Sequence, residues 1–150
     1  MTPLKAYAAR FRAPAAKRPV RVLVVDDEDP VRRFVERVLQ EGGYVTVSAA
    51  DGAAAVEIAQ SQPTFDVLVT DLMMPQMSGD ELARRLRRQE PLLKVLYLTG
   101  FSDRLFKDKS ILWQDEAFLD KPCSVKGLLQ AVSLLASGSL EEAPPPARAE

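Results

Sequence analysis

The stretch VRVLVVDDEDP, residues 20–30, joins an apolar run to a cluster of acids and then to a proline. Val20–Val25 is almost continuously apolar and rich in β-branched side chains, which indicates a strand covered on both faces. Asp26 and Asp27 follow directly, and Asp29-Pro30 supplies a candidate N-cap and a first helical residue. The stretch therefore predicts a buried strand, an acidic turn and a helix, in that order.

Short apolar runs and helical patterns continue to alternate as far as residue 137. An amphipathic helix follows Pro30 and ends at Gly42-Gly43, since glycine favours helix ends. Five strands and five helices in strict alternation are typical of an α/β protein with an open sheet and helices on both faces. The other predicted strands are Val45–Ser48, Phe65–Thr70, Val95–Thr99 and Ala117–Leu119, and the other predicted helices are Ala53–Gln60, Asp80–Arg88, Asp103–Leu112 and Ser124–Leu135.

The composition excludes several classes of function. A formal net charge of −1 over 150 residues argues against nucleic acid as an obligatory partner, because such binding needs clustered lysine and arginine. No apolar stretch is long enough to span a bilayer, and a single cysteine, Cys123, fits a cytoplasmic protein. The chain has no histidine, which excludes a histidine-based hydrolase triad, a histidine-ligated zinc site and a phosphoryl group stored on its own imidazole.

The two ends of the chain differ in composition from its centre. Residues 1–19 are basic and rich in alanine, proline and arginine, and they predict a flexible extension. Residues 138–150 contain Pro144, Pro145 and Pro146 and predict a disordered tail. The folded domain is therefore predicted at residues 20–137, and we expect no DNA-binding output domain after it.

Polar side chains follow four of the predicted strands. They are Asp26 and Asp27, then Asp71, then Thr99-Gly100, and finally Asp120-Lys121-Pro122. In open α/β sheets ligands bind beyond the carboxyl ends of the strands. Carboxylates that crowd together there are costly unless a cation compensates their charge, and Mg²⁺ with oxygen ligands suits such a site. The remaining ammonium and hydroxyl groups suit an anion that shares the metal, and phosphoryl is the natural candidate.

Asp71 follows the central predicted strand and is the candidate nucleophile. A carboxylate can attack phosphorus and form an aspartyl phosphate, a reaction that mainly requires positioning and neutralisation of charge. Mg²⁺, Lys121, Thr99 and backbone N–H groups after Asp71 can supply both. Gly100, which has no side chain, leaves room for the phosphoryl group.

Four segments in this order resemble the receiver domain of two-component response regulators. They are Val24-Val25-Asp26-Asp27-Glu28, Asp71-Leu72-Met73-Met74-Pro75 with Gly79, Thr99-Gly100 and Lys121-Pro122. The resemblance covers about residues 20–137. It implies a flavodoxin-like (βα)5 fold, with a doubly wound parallel sheet of strand order 2-1-3-4-5.

The resemblance also implies a role for each site residue. Asp71 is then the phosphoacceptor, and Phe118 is an aromatic switch that turns inward when Thr99 moves toward the phosphoryl group, reshaping the surface of the fourth helix, fifth strand and fifth helix. Met73 and Phe101 lie beside the path of the hydrolytic water, and because both are apolar we expect slow dephosphorylation. The implied metal ligands are Asp26, Asp27, Asp71 and the Met73 backbone carbonyl, the implied phosphoryl contacts are Thr99 and Lys121, and the implied phosphoryl loop is Met73, Met74 and Gly100.

The implied protein is a cytoplasmic signalling phosphoacceptor rather than an enzyme, although it assists its own phosphorylation and dephosphorylation. Its donor is a sensor histidine kinase or a histidine phosphotransfer protein, and its output is a downstream protein target. A homodimer formed on phosphorylation is a further expectation. Neither nucleic acid nor a membrane is an expected partner.

Several alternatives stay open at this point. A small Mg²⁺-dependent phosphatase with an aspartyl nucleophile usually carries a second acid two residues later, where this chain has Met73. A degenerate receiver that never accepts phosphate and a receiver excised from a hybrid histidine kinase are the others. Among single residues, Phe118 can be plain core, Thr99 an ordinary strand end, and Lys121 a solvated surface lysine.

Overall fold

A single parallel sheet forms the centre of the computed structural model, which describes residues 18–62, 64–100 and 115–137. The strand order is β2-β1-β3-β4-β5, which confirms the predicted doubly wound α/β class. The strands are β1 (Arg21–Val25), β2 (Val45–Ala49), β3 (Val67–Asp71), β4 (Lys94–Thr99) and β5 (Glu116–Asp120), and the helices are α1 (Asp29–Glu41), α2 (Gly52–Ser61), α3 (Gly79–Arg87) and α4 (Val125–Ser137).

The sheet has a separate hydrophobic core on each face. Val22 and Val24 point toward α1 and α4, whereas Leu23 and Val25 point toward α2 and α3. Successive strand residues face opposite sides, so a strand buried on both sides must be apolar throughout. This is why β1 reads as an unbroken apolar run in the sequence.

The strands differ in how deeply they are buried. All five residues of β3 are buried, and it lies between β1 and β4. At the edge of the sheet, only Ala49 of β2 is buried and Val45 is exposed. The weak apolar pattern of the second predicted strand therefore reflects an edge position.

Most predicted elements agree with the structure to within two residues, but the predicted cap of the first helix is wrong. Glu28, not Asp29, is the N-cap of α1, and its side chain makes no capping hydrogen bond. Asp29 is already helical and its carboxylate accepts a hydrogen bond from Arg32 at 2.6 Å, while the Glu28 carboxylate lies 3.7 Å from Lys121 Nζ. The third strand ends in Asp71, as expected, and its ladder with β4 pairs Asp71 with Leu98.

Some predictions fall on residues that the structure does not describe. The predicted helix Asp103–Leu112, the disordered tail 138–150 and most of the extension 1–19 lie outside the described residues. Arg18, which we assigned to the flexible extension, instead forms an ion pair with Asp66 at 2.7 Å. Within the described ranges no helix has the length and apolar character needed to cross a membrane.

Candidate functional site

The carboxyl ends of β1 and β3 bring three acids together. Carboxylate oxygens of Asp26, Asp27 and Asp71 lie within 4.8 Å of one another. These two strands are hydrogen-bonded neighbours, with Val25 opposite Thr70, so the residues that follow them meet at one edge. Asp26 and Asp71 are buried, whereas Asp27 is exposed. The acids that the sequence predicts as metal ligands therefore form one cluster that is open to solvent on the Asp27 side.

Lys121 reaches this acidic cluster from the end of β5. Its Nζ atom lies 3.1 Å from Asp26 Oδ2, 3.4 Å from Asp71 Oδ1 and 3.7 Å from Glu28 Oε1. The Lys121 side chain is only 17 % exposed. A solvated surface lysine is therefore excluded, and one ammonium is shared among three carboxylates.

Burial and crowding shift the acid–base equilibria of these groups. Burial, and then the neighbouring charge of Asp26, raise the pKa of the Asp71 carboxyl to about 7, against the opposing effect of Lys121. Burial likewise raises the pKa of Asp26. Burial acts to lower the pKa of Lys121, but Asp26, Asp71 and Glu28 together hold it above its ordinary value. The cluster thus holds more negative charge than one lysine compensates.

The donor set of the cluster fits a hard divalent cation. Asp26 Oδ2 is buried and lies 3.1 Å from the Lys121 ammonium, which Asp71 and Glu28 share. A buried carboxylate that shares its cation with two other acids is incompletely compensated, which is costly. Magnesium prefers carboxylate oxygens and retains several waters, for which the exposed Asp27 side leaves room. These residues therefore fit Mg²⁺.

A tight loop after β3 fixes the backbone of Asp71. The Leu72 N–H donates to the Leu98 carbonyl at 3.0 Å, and the Gly79 N–H donates to the Leu72 carbonyl at 2.8 Å. A Cβ atom on Gly79 would lie only 2.3 Å from the Asp71 carbonyl oxygen. Gln76 adopts the left-handed conformation with φ of 72°. Gly79 is thus required by the close approach of two backbone segments.

The methionines of this loop have different environments. Met73 is 51 % exposed, whereas Met74 is 8 % exposed and belongs to the core between the sheet, α2 and α3. Met77 covers Gly52 at the start of α2. Of the predicted phosphoryl-loop residues, Met73 and the half-buried Gly100 are therefore accessible from solvent, and Met74 packs inside.

Thr99 lies at the end of β4, and it is 3 % exposed. Its hydroxyl donates a hydrogen bond to Asp120 Oδ1 at 3.1 Å. The two residues are opposite each other in the ladder between β4 and β5. Thr99 is therefore hydrogen-bonded to Asp120, an acid that is not among the predicted site residues.

Phe118 is stacked on a second aromatic ring. The centroids of Phe118 and Tyr97 are 5.2 Å apart, and the rings are inclined by 20°. The Tyr97 hydroxyl donates to Glu116 Oε2 at 3.2 Å, and Arg87 holds the same oxygen at 2.8 Å. The predicted switch residue is therefore in contact with a hydrogen-bonded network at the other end of the strands.

The site contains several residues that sequence reasoning missed. Asp120 and Glu28 directly adjoin predicted site residues, so their position in the sequence was the available signal. Tyr97 and Glu116 carry no such signal, because their contacts depend on the register between β4 and β5. Phe101 and Trp113 lie outside the described residues.

Comparisons with known proteins agree with this geometry. The family model described as "Response regulator receiver domain" matches residues 22–133. The response regulator receiver protein CpdR of Brucella abortus is 36 % identical over 112 residues, which cover 75 % of this chain and 92 % of CpdR. The sensor kinase CckA of the same organism is 38 % identical over 112 residues, which cover 74 % of this chain and 12 % of the kinase.

Solved structures show the same fold. The chemotaxis protein CheY4 of Vibrio cholerae superposes with a TM-score of 0.70 and 32 % identity, covering 79 % of this chain and 99 % of CheY4. The receiver domain of the hybrid histidine kinase CckA superposes with a TM-score of 0.64 and 31 % identity, covering 77 % of this chain and 98 % of that domain.

Proposed function

The chain belongs to the response regulator receiver domain family, and we propose that it accepts a phosphoryl group on Asp71 with Mg²⁺ as cofactor. The observation that carries the proposal is the cluster of Asp26, Asp27 and Asp71 within 4.8 Å, together with Lys121 at 3.4 Å from Asp71. A carboxylate beside a lysine and two further acids has the groups that an acyl phosphate site requires.

Each side chain of the site then has a distinct role. An oxygen of Asp71 forms the new bond to phosphorus, while the bond from phosphorus to the donor's imidazole nitrogen breaks. Asp26, Asp27, Asp71 and the Met73 carbonyl would hold Mg²⁺, which when bound would supply positive charge beside the phosphoryl oxygens. The Lys121 ammonium compensates the remaining negative charge, and the Thr99 hydroxyl donates to a phosphoryl oxygen. Movement of Thr99 lets Phe118 turn inward and changes the surface around β5.

The phosphoryl donor is a histidine outside these 150 residues, and the target is a protein partner. The chain has no histidine, so the phosphohistidine must come from a sensor histidine kinase or a histidine phosphotransfer protein. Similarity to the CckA receiver, which its description places in a hybrid histidine kinase, supports a donor of this kind. The output is a downstream protein partner in the cytoplasm, and a homodimer formed on phosphorylation is part of the proposal. A place within a hybrid kinase and a separate receiver are both represented among the relatives.

Incubation of the full chain with acetyl phosphate and Mg²⁺, followed by intact mass spectrometry, tests this proposal. We expect the mass of one phosphoryl group to be added to the wild type and not to Asp71→Asn. Chelation of Mg²⁺ with EDTA should abolish the reaction. Modification of Asp71→Asn to the same extent as the wild type would refute Asp71 as the acceptor.

The identity of residue 73, a methionine, argues against the alternative function of a Mg²⁺-dependent phosphatase. An enzyme of that kind needs an acid that protonates the leaving group, and the half-exposed thioether of Met73 cannot do so. We therefore expect no turnover of p-nitrophenyl phosphate above that of Asp71→Asn. Continuous turnover in the presence of Mg²⁺ would favour the phosphatase.

Met73 also affects the expected lifetime of the phosphoryl group on Asp71. Met73 is 51 % exposed beside Asp71, and its apolar side chain cannot orient an attacking water. Met73→Asn places an amide there and should hasten loss of the phosphoryl group about tenfold, a lowering of the barrier by about 1.4 kcal/mol. Intact mass recorded against time, after removal of acetyl phosphate, measures the rate, with Met77→Asn as the matched control. Equal rates for wild type and Met73→Asn would contradict this role of Met73.

A further inference from the structure

We propose that Asp120 is a positioning residue that keeps the Thr99 hydroxyl bonded away from the acceptor until Asp71 is phosphorylated. The inference rests on the proposed function, because it requires a phosphoryl group on Asp71. Its structural basis is the hydrogen bond of 3.1 Å from Thr99 Oγ1 to Asp120 Oδ1. Thr99 is the last residue of β4, and its ladder partner Asp120 is the last residue of β5.

The Thr99 hydroxyl can donate to only one strong acceptor at a time. A threonine hydroxyl has one proton and donates one hydrogen bond at full strength. A carboxylate and a phosphoryl oxygen are both acceptors, so neither can supply a proton to the contact. Thr99 therefore cannot donate to Asp120 and to the phosphoryl group at the same time. Phosphorylation of Asp71 must break the bond to Asp120 before Thr99 can contribute.

The surrounding contacts allow Thr99 to change its hydrogen-bond acceptor by a movement of its side chain alone. The backbone N–H of Lys121 donates to the Thr99 carbonyl at 2.7 Å and ties the ends of β4 and β5 together. With the main chain tied, the Thr99 hydroxyl can change its acceptor by rotation about its own χ1 bond. Asp120 is exposed, and a carboxylate in water tolerates the loss of one donor. The bond can thus be broken at modest cost.

Asp120 also differs from the other acids near the site. The Lys121 ammonium pairs with Asp26, Glu28 and Asp71, and Asp120 is not among its partners in the described part of the chain. The side-chain hydrogen bond that Asp120 makes there is to Thr99. Asp120 is therefore suited to act on the hydroxyl and not through the metal or the lysine.

Removal of this competing acceptor should favour binding of a phosphoryl group. A part-exposed hydrogen bond to a charged group corresponds to about a fivefold change in affinity. We expect Asp120→Ala to bind the phosphoryl mimic beryllium fluoride, in the presence of Mg²⁺, about fivefold more tightly than the wild type. Asp120→Asn retains a weaker, neutral acceptor and should give an intermediate gain.

A double-mutant cycle tests the proposal. Beryllium fluoride is titrated with Mg²⁺ into the full chain by calorimetry, using the wild type, Asp120→Ala, Thr99→Ala and the double variant. We expect the gain from Asp120→Ala to vanish when Thr99 is already alanine, because no hydroxyl remains to be released. A gain of equal size in both backgrounds would mean that Asp120 acts by its charge alone, and this would overturn the proposal.

Two further results complete the test. In the free protein, the Gly100 amide signal of Asp120→Ala should move toward its position in the beryllium fluoride complex, which a purely structural defect would not produce. Unchanged affinity and an unmoved Gly100 signal would overturn the role of Asp120 and leave the proposed function intact. If the wild type neither binds beryllium fluoride nor takes up phosphoryl from acetyl phosphate, the proposed function itself fails.

Discussion

Acidic side chains have different kinds of partners at the two ends of the sheet. At the carboxyl end, Asp26, Asp71 and Glu28 share the single ammonium of Lys121, and Asp27 lies in the same cluster of acids. At the amino end, Asp66 receives two hydrogen bonds from the Arg18 guanidinium, at 2.7 and 2.9 Å, and one from the Arg21 N–H at 2.8 Å. Asp66 thus has an arginine of its own, whereas Asp26, Asp71 and Glu28 share one lysine.

This difference in charge pairing distinguishes the amino end of the sheet, where ion pairs stabilise the fold, from the carboxyl end, which holds the candidate site. Glu116, at the start of β5, is paired with Arg87 and is 6 % exposed in its side chain. A buried ion pair with further hydrogen bonds is costly to break, while crowded acids oppose folding until a cation arrives. The carboxyl end therefore has an excess of negative charge that a bound cation would compensate.

The largest expected effect comes from Asp71→Asn in the absence of Mg²⁺. The folded pKa of Asp71, about 7, lies above its ordinary value of 3.8, so the stabilising effect of its proton is lost as pH rises between these values. At pH 8 the variant should be more stable than the wild type by at most about 4 kcal/mol. At pH 3 the difference should be small. Urea unfolding at both pH values measures it.

The matched substitution at the amino end sharpens the comparison. Asp66→Asn weakens three hydrogen bonds to a carboxylate and should lower the free energy of unfolding by about 2 kcal/mol. The same chemical change thus has opposite signs at the two ends. Millimolar Mg²⁺ should reduce the advantage of Asp71→Asn and leave Asp66→Asn unchanged. Identical pH profiles of the free energy of unfolding for wild type and Asp71→Asn would show that the charge of Asp71 does not destabilise the fold.

The next effect concerns the backbone that holds the acceptor. Gly79→Ala would place a Cβ atom 2.3 Å from the Asp71 carbonyl oxygen, so the loop must move. We expect the free energy of unfolding to fall by about 3 kcal/mol. Gly127→Ala is the control, since its Cβ would lie 3.0 Å from the nearest atom, Ser124 Oγ, and alanine favours the helix. Similar losses for both variants would contradict a special requirement for glycine at residue 79.

A smaller effect distinguishes two arginines at the amino end. Arg87 donates to Glu116 and to the Leu93 and Asp115 carbonyls, and its side chain is 23 % exposed. Arg87→Met should lower the free energy of unfolding by about 2 kcal/mol. Arg18 is 56 % exposed, and Arg18→Met should cost less than about 1 kcal/mol. Chemical denaturation in low and high salt measures both, and a larger loss for Arg18→Met would reverse this ranking.

The smallest expected effect is at Gln76. Its φ of 72° favours glycine, so Gln76→Gly should raise the free energy of unfolding by about 0.5 kcal/mol. Gln76→Val puts a β-branched side chain in the same conformation and should lower it by about 1 kcal/mol. Thermal unfolding of the three proteins provides the measurement. Equal stability for the valine and glycine variants would show that this turn relaxes freely.

The sequence alone predicted the fold and the convergence of three acids with Lys121, for a local reason. A strand buried on both faces must be apolar along its length, and Val20–Val25 shows this without knowledge of any neighbour. Asp26, Asp71 and Lys121 directly follow predicted strands, so the common direction of parallel strands implied their convergence. Their adjacency to strand ends was enough to indicate an acidic site for a cation and an anion.

The partners of individual side chains were decided only by the tertiary structure. The bond from Thr99 to Asp120 and the stack of Tyr97 on Phe118 follow from the register of β4 with β5. The contact of the Glu28 carboxylate with Lys121 at 3.7 Å likewise depends on the three-dimensional position of that lysine. Contacts of this kind join residues far apart in the chain, and neither periodicity nor composition encodes them. The raised pKa of Asp71 has the same origin, because burial and the proximity of Asp26 exist only in the folded protein.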